Sequence, residues 1–165
     1  MRTRVGTSAD LKRVAPLMAK HRALHAEWDA AQFALKPDAD KRFQRWLGPV
    51  TEDPRSILIL AEQDDGRLIG YLAALVEKDV PIFVNDEYAV IKGMWVEPEM
   101  RHRGIATSMV RRACEEFAAL GLPQLRIRTA TANEAGRKML ESCGFRVATI
   151  DLLIELPPGG RTPGE

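Results

Sequence analysis

Apolar positions change period several times along the chain, and each change marks a new element. Residues 2–6 read as a short strand. Thr7, Ser8 and Asp10 follow with oxygens suited to the free N–H groups of a helix start. Leu11, Val14 and Met18 then line one helix face at three- and four-residue spacing, with Leu17 and Leu24 beside them. Pro16 lies inside that pattern and predicts a kink. Residues 28–37 show no period, and residues 38–47 read as a second helix with Phe43, Trp46 and Leu47 apolar. A hairpin comes next. Residues 57–61 and 68–76 are its strands, and the turn at 64–67 contains Gly66, which can take positive φ. Residues 88–96 form a third strand, ended by Pro98.

The C-terminal half is patterned as clearly. Ile105, Met109, Ala113, Phe117 and Leu120 make the stripe of an amphipathic helix over 104–120, stopped by Gly121. Leu125 and Ile127 alternate with Arg126 and Arg128 in a strand over 124–129. Asn133 opens a helix ending at Gly144, and Thr131 to Glu134 has capping-box spacing. Residues 147–156 read as the last strand. The Pro- and Gly-rich residues 157–165 have too little apolar surface to order and are expected to be a disordered tail outside a single domain at 1–156. The fold class is α/β of the α+β type, with a central mixed, mostly antiparallel sheet flanked by helices.

Composition narrows the function. A chain of 165 residues, 45% hydrophobic and 28% charged, can bury a full core. Its formal net charge of +1 gives no global case for nucleic acid or an anionic membrane. No apolar run reaches the roughly 18–20 residues of a membrane span, and the N-terminus lacks a secretion signal, so a cytoplasmic location is expected. Cys114 and Cys143 make no ligand spacing and are expected to be buried small side chains. His21 and His25 share a helix face but lack further ligands, so no metal site is expected.

The stretch from Met94 to Thr107 carries the chemistry. A strand ends, a polar loop follows and a long helix begins. Arg101, His102, Arg103 and Gly104 precede that helix, and none is a strong acceptor cap, so an external anion or water must serve the free N–H groups. Gly104 and Ala106 leave room for a phosphate, and Arg101 and Arg103 add charge. Neither GxxxxGK[ST] nor GxGxxG is present.

Arg101-His102-Arg103-Gly104-Ile105-Ala106 resembles the [Q/R]-x-x-G-x-[G/A] signature of GNAT acyltransferases. Val96-Glu97-Pro98-Glu99 resembles the V-x-P segment that leads into it, and the helix from Asn133 to Gly144-Phe145 resembles the second motif of that family. The resemblance covers residues 57–156 and implies a GNAT fold, acetyl-CoA as cosubstrate and an amine as acceptor, with a homodimer as a common assembly. It implies that backbone amides of Arg101, His102, Arg103, Gly104, Ile105, Ala106 and Thr107 hold the CoA pyrophosphate. Met94, Trp95 and Val96 would pair with the pantetheine arm, an N–H near Met94 would polarise the thioester, and Asn133 would touch the cofactor or simply cap its helix.

Two customary catalytic groups are missing. Leu140 stands at the usual tyrosine position, and Val90 stands where a strand glutamate is frequent. Glu87, Tyr88 and Ser142 are the candidate substitutes. Trp28, Phe33, Phe43 and Trp46 fall where the family builds its acceptor pocket, and Asp79, Asp86 and Glu87 would add negative charge beside it. The expected function is acetyl transfer from acetyl-CoA to a primary amine. The alternative is a non-catalytic acyl-CoA-binding sensor or interaction module.

Overall fold

The computed structural model describes residues 1–156, so the tail at 157–165 lies outside the described residues. Five strands form one sheet in sequence order. They are β1 (Arg2–Val5), β2 (Ile57–Glu62), β3 (Leu68–Lys78), β4 (Glu87–Val96) and β5 (Leu125–Ile127). The first four pair antiparallel, and β5 joins β4 in parallel. The sheet is thus mixed and mostly antiparallel, as the pattern predicts.

Helices cover both faces. On one lie α1 (Leu11–Trp28) and α3 (Ala39–Glu52), whose Val14, Leu17, Met18 and Leu47 pack against Leu58, Leu60, Tyr71 and Trp95. On the other lie α4 (Ile105–Ala119) and α5 (Glu134–Ser142). There Ile105, Met109, Ala113, Phe117 and Leu140 pack on Ile59, Ile69, Leu72 and Ile91. Burying one such aliphatic side chain contributes about 1.5–3 kcal/mol.

The structure amends several expectations. Helix α1 runs through Pro16 unbroken, because proline costs only the one backbone bond to Lys12. In the stretch without period, Ala30–Phe33 forms the short helix α2, capped by Asp29 accepting from the Gln32 N–H at 3.1 Å. Cys114 faces solvent rather than the core, since the α4 stripe runs through Ala113 and Phe117 on the opposite side. Leu120 lies beyond the end of α4 and is exposed.

Residues 147–156 are the main correction. They form no strand and make no backbone–backbone hydrogen bond among the described residues. Their alternating pattern specifies a face but not a partner, and no strand of the sheet pairs with them among the described residues.

An ionic cluster ties the N-terminus to the sheet. Arg4 donates to both oxygens of Asp10 at 2.8 and 2.7 Å and to Glu62 at 2.8 Å. Arg13 reaches the same two carboxylates at 3.1 and 3.2 Å. Asp10 and Glu62 are buried. Arg4 holds both carboxyls below their ordinary range despite that burial.

The contact between β3 and β4 leaves no room at Gly70, where an added Cβ would stand 2.8 Å from the Trp95 carbonyl oxygen. Gly70→Ala is expected to lower stability by about 1–3 kcal/mol in urea unfolding. An unchanged midpoint would mean that the two strands can part there freely.

Candidate functional site

The site begins with a register slip. Ala73 pairs with Gly93 and Ala74 with Ile91, so Lys92 of β4 has no partner on β3. One inserted residue reverses the alternation of everything beyond it. Before the slip, Ala89 turns its N–H toward β5, bonding the Gln124 carbonyl at 2.9 Å. After it, Glu97 turns its N–H toward β3, bonding Ile69 at 2.9 Å. Trp95 and Gly93 share the parity of Glu97, so Met94 and Val96 direct their backbone groups away from β3. On that side β5 pairs only with Ala89, Val90 and Ile91. Beyond Ile91 the pairing with β5 ends, and on that side the backbone groups of Met94 and Val96 have no backbone partner among the described residues.

The edge leads directly into the loop. A single turn at Pro98–Met100 is followed by His102 at φ 59° and Gly104 at φ 76°. Such left-handed residues turn successive N–H groups toward one concavity. No side chain caps α4, and Ser108 is the first of its N–H groups to find a carbonyl, that of Gly104 at 2.9 Å. The N–H groups of Ile105, Ala106 and Thr107 have no backbone partner among the described residues. Arg101, His102, Arg103 and Gly104 are exposed, and Ile105 is buried as the first anchor of α4. Arg101 folds back, donating Nε to the Val96 carbonyl at 3.0 Å with its guanidinium over the Trp95 ring at 4.9 Å.

Side chains brace this edge from behind. The Trp95 indole donates to Glu97 at 3.1 Å, and Lys20 of α1 reaches the other Glu97 oxygen at 2.5 Å. Burial would raise the Glu97 pKa, but Lys20 and Trp95 outweigh it and hold the carboxyl below its ordinary range. Asn133 caps α5, accepting from Gly136 N–H at 3.1 Å and donating to Thr129 at 2.9 Å.

The candidate acid–base groups are engaged elsewhere. Glu87 starts β4, about 20 Å along the strand from Met94. It is held by Arg55 at 3.2 and 2.8 Å and by Lys78 at 3.5 Å. Tyr88 donates to Glu77 at 3.4 Å, with the Arg126 guanidinium 3.6 Å from its ring centre. Ser142 is exposed and donates to the Met139 carbonyl at 2.6 Å. Leu140 is core, and Val90 is buried. Asp79 is paired with Arg126 at 3.1 Å, so two of the three acids in the 78–87 loop already have cationic partners. Of the aromatic set, Trp28 and Phe33 flank His25 at ring distances of 5.1 and 5.0 Å, while Phe43 and Trp46 pack together at 5.5 Å on α3.

Two polar groups abut the slip: Tyr71, which the sequence pattern does not single out, and His21, which it marks only as half of a ligand-poor histidine pair. A Cβ on Gly93 would stand 2.9 Å from the Tyr71 hydroxyl and 3.5 Å from His21 Cε1. Burial pushes the Tyr71 pKa well above its ordinary value, so it stays a neutral hydroxyl. Burial, with help from His25 and Arg22, lowers His21 to about 4. His21 does not gather a metal set: no group of three or more His, Cys, Asp or Glu converges among the described residues. No helix among them is long and apolar enough to cross a membrane.

Residues 21–145 match the model of the acetyltransferase (GNAT) family. A curated protein of Acinetobacter genomosp. 13, named aminoglycoside N(6')-acetyltransferase type 1, is 25% identical over 133 residues, covering 78% of this chain and 89% of that one. Among solved structures, a mutant of a Bacillus halodurans protein superposes with a TM-score of 0.81 at 16% identity, covering 95% of this chain and 100% of that one. A predicted acetyltransferase from Clostridium acetobutylicum, solved with acetyl-CoA, superposes with a TM-score of 0.76 at 19% identity over 93% and 95% of the two chains.

His21 makes a pH prediction. Its folded value is about 4 and its ordinary value 6.5. Between them the unfolded chain binds more protons, so stability rises with pH through that window and falls on acidification. Urea unfolding of wild type and His21→Gln from pH 4 to 7 should show a shallower slope in the variant. Identical slopes would place His21 in a more solvated setting.

Proposed function

Because the chain belongs to the GNAT acetyltransferase family, we propose that it moves an acetyl group from acetyl-CoA directly to a primary amine, using the open β4 edge and the α4 N-terminus. One observation carries this reading. The slip at Lys92 leaves Met94 and Val96 facing an open side, in line with three unpaired N–H groups at the start of α4.

The residues fit the cosubstrate part by part. Ile105, Ala106 and Thr107 N–H groups, the left-handed turn at His102 and Gly104, and Arg103 suit a pyrophosphate. Met94 and Val96 suit the amides of a pantetheine arm, as a sheet edge suits an added strand. Arg101 releases the Val96 carbonyl when it turns out toward the phosphates. Acetyl-CoA supplies a carbonyl already activated by its thioester. The Met94 N–H is the donor for the carbonyl oxygen, where negative charge develops. His21 and Tyr71 lie on the acceptor side of Gly93, both uncharged at neutral pH, and orient the incoming amine or a water. Asn133 serves as helix cap and, through its remaining amide hydrogen, as a contact for the cofactor arm.

Positioning supplies most of the rate. Effective molarities of about 10⁵–10⁸ M are available to well-oriented reactants, and a thiolate leaving group with an ordinary thiol pKa of about 8.5 needs little protonation. Leu140 therefore does not preclude turnover. It does favour a second reading, an acyl-CoA-binding module without catalysis.

The acceptor is open. A relative named for aminoglycosides puts those amines on the panel. The pairing of Asp79 with Arg126 and of Glu87 with Arg55 leaves less free negative charge for a polycation, so neutral and singly charged amines belong there too.

The test is thiol release from acetyl-CoA across that panel, with calorimetry of acetyl-CoA binding. Turnover with any amine establishes the enzyme, and tight binding without turnover favours the module. Gly104→Val forces a branched residue into φ 76°, a strain of about 1–2 kcal/mol. It should weaken acetyl-CoA binding at least tenfold while the fold persists by circular dichroism. Glu87→Gln should leave kcat within about twofold, because its carboxylate is tied to Arg55 far from the open edge. A hundredfold loss would restore Glu87 to the catalytic set.

A further inference from the structure

Arg22 follows His21 on α1, and its side chain is only 16% exposed. Its Nη2 pairs with Asp40 of α3, and its guanidinium carbon stands 4.3 Å from the centre of the Phe43 ring. Nε and Nη1 are buried and have no hydrogen-bond partner among the described residues. No other buried side-chain nitrogen or oxygen among those residues is in that condition. A charged group withdrawn from water loses its hydration, and native structures replace that loss with acceptors. A guanidinium left with two such nitrogens is a place for an anion, and its planar fork matches a carboxylate.

Arg22 stands beside the acceptor side of the open edge. His21 and Tyr71 abut Gly93, the neighbour of Met94. Their ring centres are 6.3 Å apart, and His25 continues the wall 4.4 Å from His21. Burial is the largest influence on the pKa of both His21 and Tyr71, and the Arg22 charge lowers each, so the guanidinium acts on the two groups that flank Gly93.

The acid that touches Arg22 is a weak competitor. Asp40 is 66% exposed, and exposed ion pairs contribute little. The guanidinium can therefore turn from Asp40 to an anion arriving from the acceptor side. Asp79 and Glu87 are held by Arg126 and Arg55.

We propose that Arg22 selects the acceptor: the amine that takes the acetyl group also carries a carboxylate, which the Arg22 guanidinium binds while the amine lies beside Gly93 and Met94. This rests on the acetyl transfer proposed above and names its substrate class, a free amino acid. The carboxylate takes no part in the chemistry. The amine nitrogen bonds to the acetyl carbonyl carbon, the C–S bond breaks, and CoA leaves as the thiolate, which takes up the proton that the nitrogen loses.

The test is thiol release from acetyl-CoA with the common α-amino acids and β-alanine, each beside its carboxamide, and with phosphoethanolamine. The preferred acid should exceed its amide at least about tenfold in kcat/KM, as a charge-assisted hydrogen bond provides. Arg22→Gln should bring that ratio close to one. Asp40→Asn should keep or raise it, because Asp40 competes for the guanidinium. A purely structural role for Arg22 would lower acid and amide alike and leave the ratio standing. The wild-type and Asp40→Asn ratios decide the matter if Arg22→Gln does not fold. A wild-type ratio near one, a ratio that survives Arg22→Gln or collapses in Asp40→Asn, or a preference for phosphoethanolamine would overturn the proposal. Turnover of other amines with none of the amino acids would uphold acetyl transfer and overturn the role of Arg22. If no amine is acetylated, the transfer reading fails by itself, and binding then judges Arg22. In the presence of CoA, N-acetyl amino acids should raise the Tm of wild type and not that of Arg22→Gln, and no rise in wild type, or an equal rise in both, would overturn the proposal.

Discussion

Between Ile91 and Gly93, β4 carries one residue more than β3 can pair. Everything beyond that residue is rotated by half a turn relative to what precedes it. Ala89 and Ile91 face α4 before the slip, and after it Val96 does, while Trp95 faces α1. Had the ladder continued without Lys92, the groups now open at Met94 would be bonded to β3, and no free N–H would stand where β4 and β5 part. The slip also leaves Gly93 against Tyr71 and His21, so the open edge and the α1 side of the sheet meet at one point.

The remaining architecture holds that edge in place from behind. Trp95 is held by Glu97, and Glu97 by Lys20, so the last residues of β4 are anchored to α1. The Arg4, Asp10, Glu62 and Arg13 cluster fixes the start of α1 against β1 and β2. Buried charges of this kind add little net stability, because desolvation offsets most of their attraction. Their geometric effect is larger. They set where α1 crosses the sheet, and with it the position of His21.

Much of this was legible in the sequence. Turn chemistry at Gly66, the α4 stripe and the absent cap before Ile105 all depend on local residue types, and each has its counterpart in the structure. The slip at Lys92 was not legible, because a bulge is a relation between two strands and Lys92 alone carries no mark of it. The same holds for Glu87. Its place at the head of a strand made it a candidate base, and only the fold shows Arg55 beside it. Residues 147–156 fail for a related reason. Alternation states which side chains belong together but not against what they rest, and the structure supplies no ladder for them.

The open edge is built of peptide groups, which every residue type except proline possesses in full. Mutation can exchange the side chains at Met94 or Val96 without deleting an N–H or a carbonyl. What descent must preserve is a shape: one supernumerary residue in a strand, a left-handed turn and a helix that begins without a cap. At 16% identity the Bacillus halodurans protein still superposes on this fold with a TM-score of 0.81. A frame made of main-chain groups leaves the side chains around it free to vary without dismantling it.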